Sequence, residues 1–191
     1  MRRAHTCSAA YALAGWRTTA DDGRVDETHL THITAPEGVA PGSGYTHVVT
    51  GTGRLVALSG QVAVDERGGL VGPGDPAAQA RQVFENLRRC LTAAGATFDD
   101  VVKLTYYVTD VAHLPAVRLA RDAYVDTRRP PASTAVQVAA LFRPELLLEV
   151  EAFAVIRADV GVPEDATGVT ADAGVTAGSP GRPAHKRRPT A

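Results

Sequence analysis

Lysine is nearly missing from this chain: Lys103 and Lys186 are the only two among 20 lysine and arginine residues. A lysine Schiff base or a pyridoxal phosphate enzyme needs a placed amine. Lys103 falls in an alternating strand pattern and Lys186 in a polar tail, so that chemistry is set aside and no cofactor is expected. Cysteine is equally scarce. Cys7 and Cys90 are far apart, and Cys90 falls on the apolar side of a predicted helix, which argues against a disulfide framework and fits a reducing cytoplasm. No segment approaches the roughly 20 apolar residues of a membrane span. Arg2-Arg3 precedes only a weak apolar stretch broken by Gly15, a poor secretory signal. Charge of one sign is lacking too. A formal net charge of -1 gives no reason to expect nucleic acid or an anionic membrane as the main partner, which leaves a small molecule.

Metal and phosphate motifs are also wanting. His29 and His32 are three apart, which in a strand projects them to opposite faces, and no third or fourth ligand lies nearby, so no metal site is expected. Gly51-Thr52-Gly53 and Gly72-Pro73-Gly74 read as turns, because neither carries the following lysine or the helix opening of a phosphate loop.

The 191 residues, 45% hydrophobic, suffice for one packed domain. Residues 1–27 mix alanine, threonine and charge without period and read as a flexible extension. From 158 to 191 the chain is rich in Gly, Pro, Thr and Ala and reads as a disordered tail, because it offers too little apolar surface to offset ordering entropy. The middle is periodic. A first strand around Thr28–Thr34 has a hairpin partner around Tyr45–Thr50, and Leu55–Val64 forms a buried strand. Asp75-Pro76 opens a helix whose apolar positions Ala80, Val83, Phe84, Leu87, Leu91 and Ala94 recur at three and four until Gly95 stops it. Val102, Leu104, Tyr106 and Val108 alternate with polar neighbours as a half-buried strand, and a second helix runs from about Leu114 to Asp126 with Val117, Ala120, Arg121 and Tyr124 on one side. Two strands close the domain, over the runs Arg129–Val138 and Leu146–Val155. Two helices cannot cover both faces of such a sheet; they pack on one face and leave the other for an oligomer, with pockets between subunits.

The residue to explain is Glu149. A carboxylate inside an apolar strand costs several kcal/mol unless it is exposed, paired or used. Glu151 lies on the same face by alternation; structural pairing with an arginine is one option for it, and no role is assigned.

Several motifs, in order, resemble one family: Gly44-Tyr45, Leu58-Ser59-Gly60-Gln61, Gln79 through Gly95, Val102 through Val108, Arg129-Pro130-Pro131-Ala132 and Glu149-Val150-Glu151-Ala152. These are similar to the Rid proteins, the reactive intermediate or imine deaminases also called the YjgF family, over residues 28–157. The resemblance implies an α+β, chorismate-mutase-like fold: a mixed β-sheet with two helices on one face, assembled as a homotrimer around a central β-barrel with pockets at subunit interfaces. It implies an enamine or imine deaminase of the 2-iminobutanoate/2-iminopropanoate type, a hydrolase releasing ammonia and a keto acid. Carried over by motif, Glu149 resembles the carboxylate that positions water, Tyr45 the pocket hydroxyl, Ser59 and Gly60 a hydroxyl and a backbone donor, and Ala135 a backbone wall of the site. Deaminating members carry an arginine after the Pro-Ala of the penultimate strand, a bidentate fork for the substrate carboxylate. This chain is a divergent member with Ser133 at that position, and Arg118 or Arg143 would supply the guanidinium from another direction. The bland readings stay open: Arg118 as a solvated helix residue, Glu149 as a surface residue or partner of an arginine across the trimer. Two further functions stay open beside the deaminase, namely a biosynthetic enzyme using the pocket for cyclisation, tautomerisation or decarboxylation, and a non-catalytic trimeric ligand-binding protein.

Overall fold

A computed structural model of the chain describes residues 29–159 and residue 161. The expected extension (1–27), Cys7 and nearly all of the expected tail lie outside the described residues. A short hairpin comes first, β1 (Leu30–Ile33) paired antiparallel with β2 (Val48–Gly51). Then follow β3 (Arg54–Gln61), α1 (Pro76–Ala93), β4 (Val101–Val108), α2 (Leu114–Arg121), β5 (Ala132–Gln137) and β6 (Leu148–Ile156). The last four strands form one mixed sheet in the order β3-β6-β4-β5, antiparallel except for the parallel pair β4-β5. A parallel neighbour requires a crossover, and α2 supplies it.

Helix α1 starts where the Asp75 carboxylate accepts the backbone N–H groups of Ala77 and Ala78, with Pro76 at the first turn, and ends before Gly95, whose φ is +74°. Its apolar stripe of Ala80, Val83, Phe84, Leu87 and Leu91 is buried against the sheet, as is Val117 of α2. Opposite them lie alternate residues of β4 and β6: Leu104, Tyr106 and Val108, and Leu148, Val150, Ala152, Ala154 and Ile156. This alternation places every second side chain of β6 in the core and the rest, including Glu149 and Glu151, on the far face. That far face exposes Leu55, Val136 and Phe153.

Several boundaries differ from the sequence reading: the hairpin partner is Val48–Gly51, the closing strands are Ala132–Gln137 and Leu148–Ile156, and three further differences have a visible cause. Val101, and not Val102, is buried, because the β4-β6 register shifts between Val101 and Lys103 and moves the first residues of β4 by one place. Helix α2 ends at Arg121, five residues short of expectation: the N–H groups of Tyr124 and Val125 both return to the Arg121 carbonyl, turning the chain so that Tyr124 stacks on Phe84 at 5.7 Å. Strand β3 stops at Gln61, after an irregular register that follows Leu58. Val62 and Ala63 remain buried outside the ladder.

One buried polar side chain ties the layers together. The Gln79 amide donates to the carbonyls of Gly72 and Glu145 and accepts from the Leu147 N–H, fastening α1 to the approaches of both α1 and β6. Gln79→Ala would take these partners from the part-buried Glu145 carbonyl and Leu147 N–H, each costing about 1–3 kcal/mol, while the Gly72 carbonyl keeps the Asp75 N–H. The expected loss of unfolding free energy is therefore about 2 kcal/mol or more, read from urea denaturation; a loss below about 1 kcal/mol would show that the amide is not a tie.

Candidate functional site

Between α2 and the β5 edge of the sheet lies a cavity of about 260 Å³, lined by Ser43, Gly44, Tyr45, Tyr106, Leu114, Val117, Arg118, Arg121, Ser133 and Ala135. Parallel pairing sets Ser133 beside Leu104 and Ala135 beside Tyr106, so both face the helices and the cavity. The segment carrying Tyr45 reaches β5 through Thr46, whose N–H donates to the Pro131 carbonyl and which bridges to Ala132. Gly44, with φ +76°, allows the sharp approach, and the Tyr45 ring sits edge-on to His47 at 5.1 Å.

Arg121 is the buried cation of this cavity, 7% exposed. Its Nε and one Nη donate to the Asp122 carboxylate at 2.8 and 2.6 Å, and its other Nη donates to the Gly44 carbonyl at 2.7 Å. The guanidinium thus holds the loop against the helix while its charge is matched by Asp122. Arg118, one turn earlier, is exposed at the rim. Tyr106 forms part of the wall and is 5% exposed, its hydroxyl lying near the Arg121 guanidinium and the Ser133 hydroxyl but in no well-formed hydrogen bond with either. Burial pushes this phenol up to about 12, against the opposing pull of the nearby Arg121 guanidinium and the Arg121 and Ser133 donors. The Ser133 hydroxyl makes only a long 3.4 Å donation to the Pro131 carbonyl.

The sequence-derived site residues fall into two groups. Tyr45, Arg118, Ser133 and Ala135 converge on the cavity. Glu149, Ser59 and Gly60 do not line it, and Glu149 lies on the opposite, open face of the sheet. There Gly60 faces Glu149 so closely that any β-carbon at position 60 would collide with the carboxylate. Glu149 is half-buried, and its carboxylate makes no hydrogen bond or ion pair among the described residues. Glu151, which carries no assigned role in the sequence reading, accepts from the Tyr107 hydroxyl at 3.3 Å; Thr105 of β4 stands opposite it and Tyr107, opposite Glu149, reaches it diagonally. The Tyr107 phenol is raised by burial and by the two carboxylates. Arg143 is away from the cavity, donating to the Gly68 carbonyl and lying over the Phe142 ring. His29 and His32 hydrogen-bond the carbonyls of Val155 and Pro130, fastening the hairpin end to the sheet.

Sequence reasoning missed Arg121 and Tyr106 as site residues. Both were placed on apolar stripes, and for Arg121 that placement was itself the signal, since a charged group on a buried helix face requires a partner.

Comparison with known proteins identifies the class. The Endoribonuclease L-PSP family matches residues 34–156, and the chain belongs to it. A RutC family protein of Haemophilus influenzae is 38% identical over 132 residues, spanning 67% of this chain and 97% of that protein. A 2-iminobutanoate/2-iminopropanoate deaminase of Escherichia coli K12 is 36% identical over 107 residues, 55% of this chain and 82% of the relative. Among solved structures, a Rid-family protein of unknown function from Yersinia pestis matches with a TM-score of 0.59 at 36% identity, covering 68% of this chain and all of the other. The Rid resemblance read from the motifs and the mixed α+β fold are thereby established. No helix among the described residues is long and apolar enough to cross a membrane.

The raised Tyr106 phenol has a stability consequence. Below pH 10 the folded and unfolded chains both keep this proton; between pH 10 and about 12 the unfolded chain releases it while the folded chain retains it. Unfolding is then favoured, by about 2 to 3 kcal/mol across that window. Denaturant midpoints should fall with pH in the wild type beyond any fall seen in Tyr106→Phe, and equal slopes in the two proteins would contradict the assignment.

Proposed function

We propose that this protein is an enamine or imine deaminase of the Rid type, hydrolysing a reactive, carboxylate-bearing imine to a keto acid and ammonia. The observation that carries this reading is the Glu149 carboxylate, half-buried, unpaired among the described residues and accommodated by a glycine at position 60. Such a group is costly as structure and useful as chemistry. The relatives named 2-iminobutanoate/2-iminopropanoate deaminase, at about 36% identity, support the reaction type.

Balanced chemistry asks little of the protein. For an enamine substrate, a proton first adds to the terminal carbon, giving the iminium ion. Water then adds to the iminium carbon, Glu149 taking the proton that leaves water. The resulting carbinolamine receives that proton on nitrogen, the C–N bond breaks, and ammonia departs as the carbonyl forms and the hydroxyl proton is released, returning the one taken up at carbon. Tyr45, Ser59 and the Gly60 N–H are the proposed donors that orient the substrate, within about 3 Å of the reacting atoms.

The two residue groups lie apart in a single chain, which favours a site completed between copies. The exposed Leu55, Val136 and Phe153 of the open sheet face give an apolar surface for such contact. A homotrimer around a central β-barrel, with the cavity of one subunit meeting Glu149 of the next, is the assembly proposed here, in the cytoplasm and without metal or cofactor. A second reading, cyclisation, tautomerisation or decarboxylation of a larger substrate, is favoured by one observation: Ser133 stands where a guanidinium fork would restrict the site to small acids.

The test follows 2-aminoacrylate generated in situ, alongside a larger cyclic imine. Wild-type protein is expected to accelerate loss of 2-aminoacrylate, and Glu149→Gln to lower that acceleration by at least a hundredfold, the range of a lost acid–base group. Gly60→Ala should do similar damage by displacing the carboxylate. Turnover of the cyclic substrate alone would move the assignment to the second reading; no acceleration of either would leave a ligand-binding trimer.

A further inference from the structure

A groove between α1 and α2 has no part in the reaction above. Two cavities follow it, of about 350 and 390 Å³, and they meet at Ala123 and Tyr124. Helix α1 lines the first with Ala77 and Arg81 and the second with Arg88, Leu91 and Thr92, so the groove tracks this helix for about 22 Å. The side chains that α2 and its exit turn lend to the first cavity are short: Ala116, Ala120 and Ala123 leave room for a group from outside. Beside them stands Leu119, 76% exposed and the most exposed large apolar residue among those described. An exposed knob next to an open hole suits a partner that carries the same pair, because a two-fold contact between identical chains seats each knob in the other's hole.

Charge points to the same occupant. Arg81 lies exposed toward the start of α1, with no ion pair among the described residues. Asp99 lies exposed at the far end; the Thr97 hydroxyl holds its backbone N–H, and its carboxylate has no partner among the described residues. Arg88, between them, is matched by Glu85 through two hydrogen bonds of 2.8 and 2.7 Å. The groove thus ends in one unmatched cation and one unmatched anion, with apolar surface and the Tyr124 ring between. A half-turn about Tyr124 lays Arg81 of each copy against Asp99 of the other. A molecule of one charge sign would satisfy one end only.

We propose that this groove is an isologous docking surface for a second copy of the chain, with Leu119 of each copy seated on the alanines of the other and Arg81 meeting Asp99 at both ends. The contact is independent of the deaminase reading. It uses the helix side of the molecule, opposite the sheet face offered above for a trimer, so the two contacts can coexist; a closed assembly using both holds its chains in multiples of six.

Sedimentation equilibrium and light scattering of the full chain, over a concentration series at low salt, test the contact. Wild-type protein should show a concentration-dependent doubling of mass. Leu119→Glu should weaken that step at least about a hundredfold, since it places a charge where each copy buries an apolar side chain, and should leave any assembly through the sheet face intact. Arg81→Glu and Asp99→Arg, made separately, each turn both end contacts from attraction to repulsion and should weaken the step about tenfold. Mixing these two variants in equal amounts should restore it, because every mixed pair has opposite charges facing at both ends. A variant that had simply lost its fold would gain nothing from the mixture. Wild-type mass that never doubles, doubling that survives Leu119→Glu, or single variants that associate no better mixed than apart would overturn the proposal and leave the groove to a different occupant.

Discussion

Strand β6 is hydrogen-bonded along both edges, to β3 and β4, and its period-two alternation divides the molecule. Leu148, Val150, Ala152, Ala154 and Ile156 form the floor on which the helices pack. Glu149, Glu151 and Phe153 belong to the other side. A slip of one residue in this register would bury two carboxylates under α1 and turn five core side chains outward, so the position of Glu149 is fixed by the hydrophobic core as a whole. The Glu149 carboxylate on the open face is thus held in place by apolar packing on the face it does not share.

The helix-side cavity follows from a different constraint. The parallel β4-β5 pair needs a crossover, the crossover is a short helix, and that helix brings arginine side chains over the edge strand. Arg121 is fixed by Asp122 and by the Gly44 carbonyl, so that loop, helix and cavity wall are set by one group.

Much of this fold was legible in the sequence because its signals are local. Asp75-Pro76 and Gly95 bracket α1, alternation marks β4 and β6, and Pro130-Pro131 leads into β5. The displaced boundaries arose where tertiary structure overruled periodicity. The shift between Val101 and Lys103 exchanges inside for outside over one residue, and the early end of α2 is taken up by Tyr124 packing on Phe84. Half of the candidate site was legible by motif, through Tyr45, Ser133, Arg118 and Ala135. Its split from Glu149 was not, because a strand reading gives the face of a side chain and says nothing of which cavity that face meets. Tyr106 was hidden for another reason: on an alternating strand a buried tyrosine reads as core, and only the surroundings of its ring and hydroxyl show that it lines a cavity.

Gly60 and Glu149 form a lock made from an atom and the lack of one. The carboxylate occupies the space where any other residue at position 60 would place its β-carbon. Neither position can drift alone: a side chain acquired at 60 evicts the glutamate, and a glutamate lost at 149 leaves a void that a side chain at 60 could fill. Two sites on different strands therefore behave in descent as one character, and a lineage that abandoned the acid at 149 should record the event twice, the second time as a glycine no longer needed.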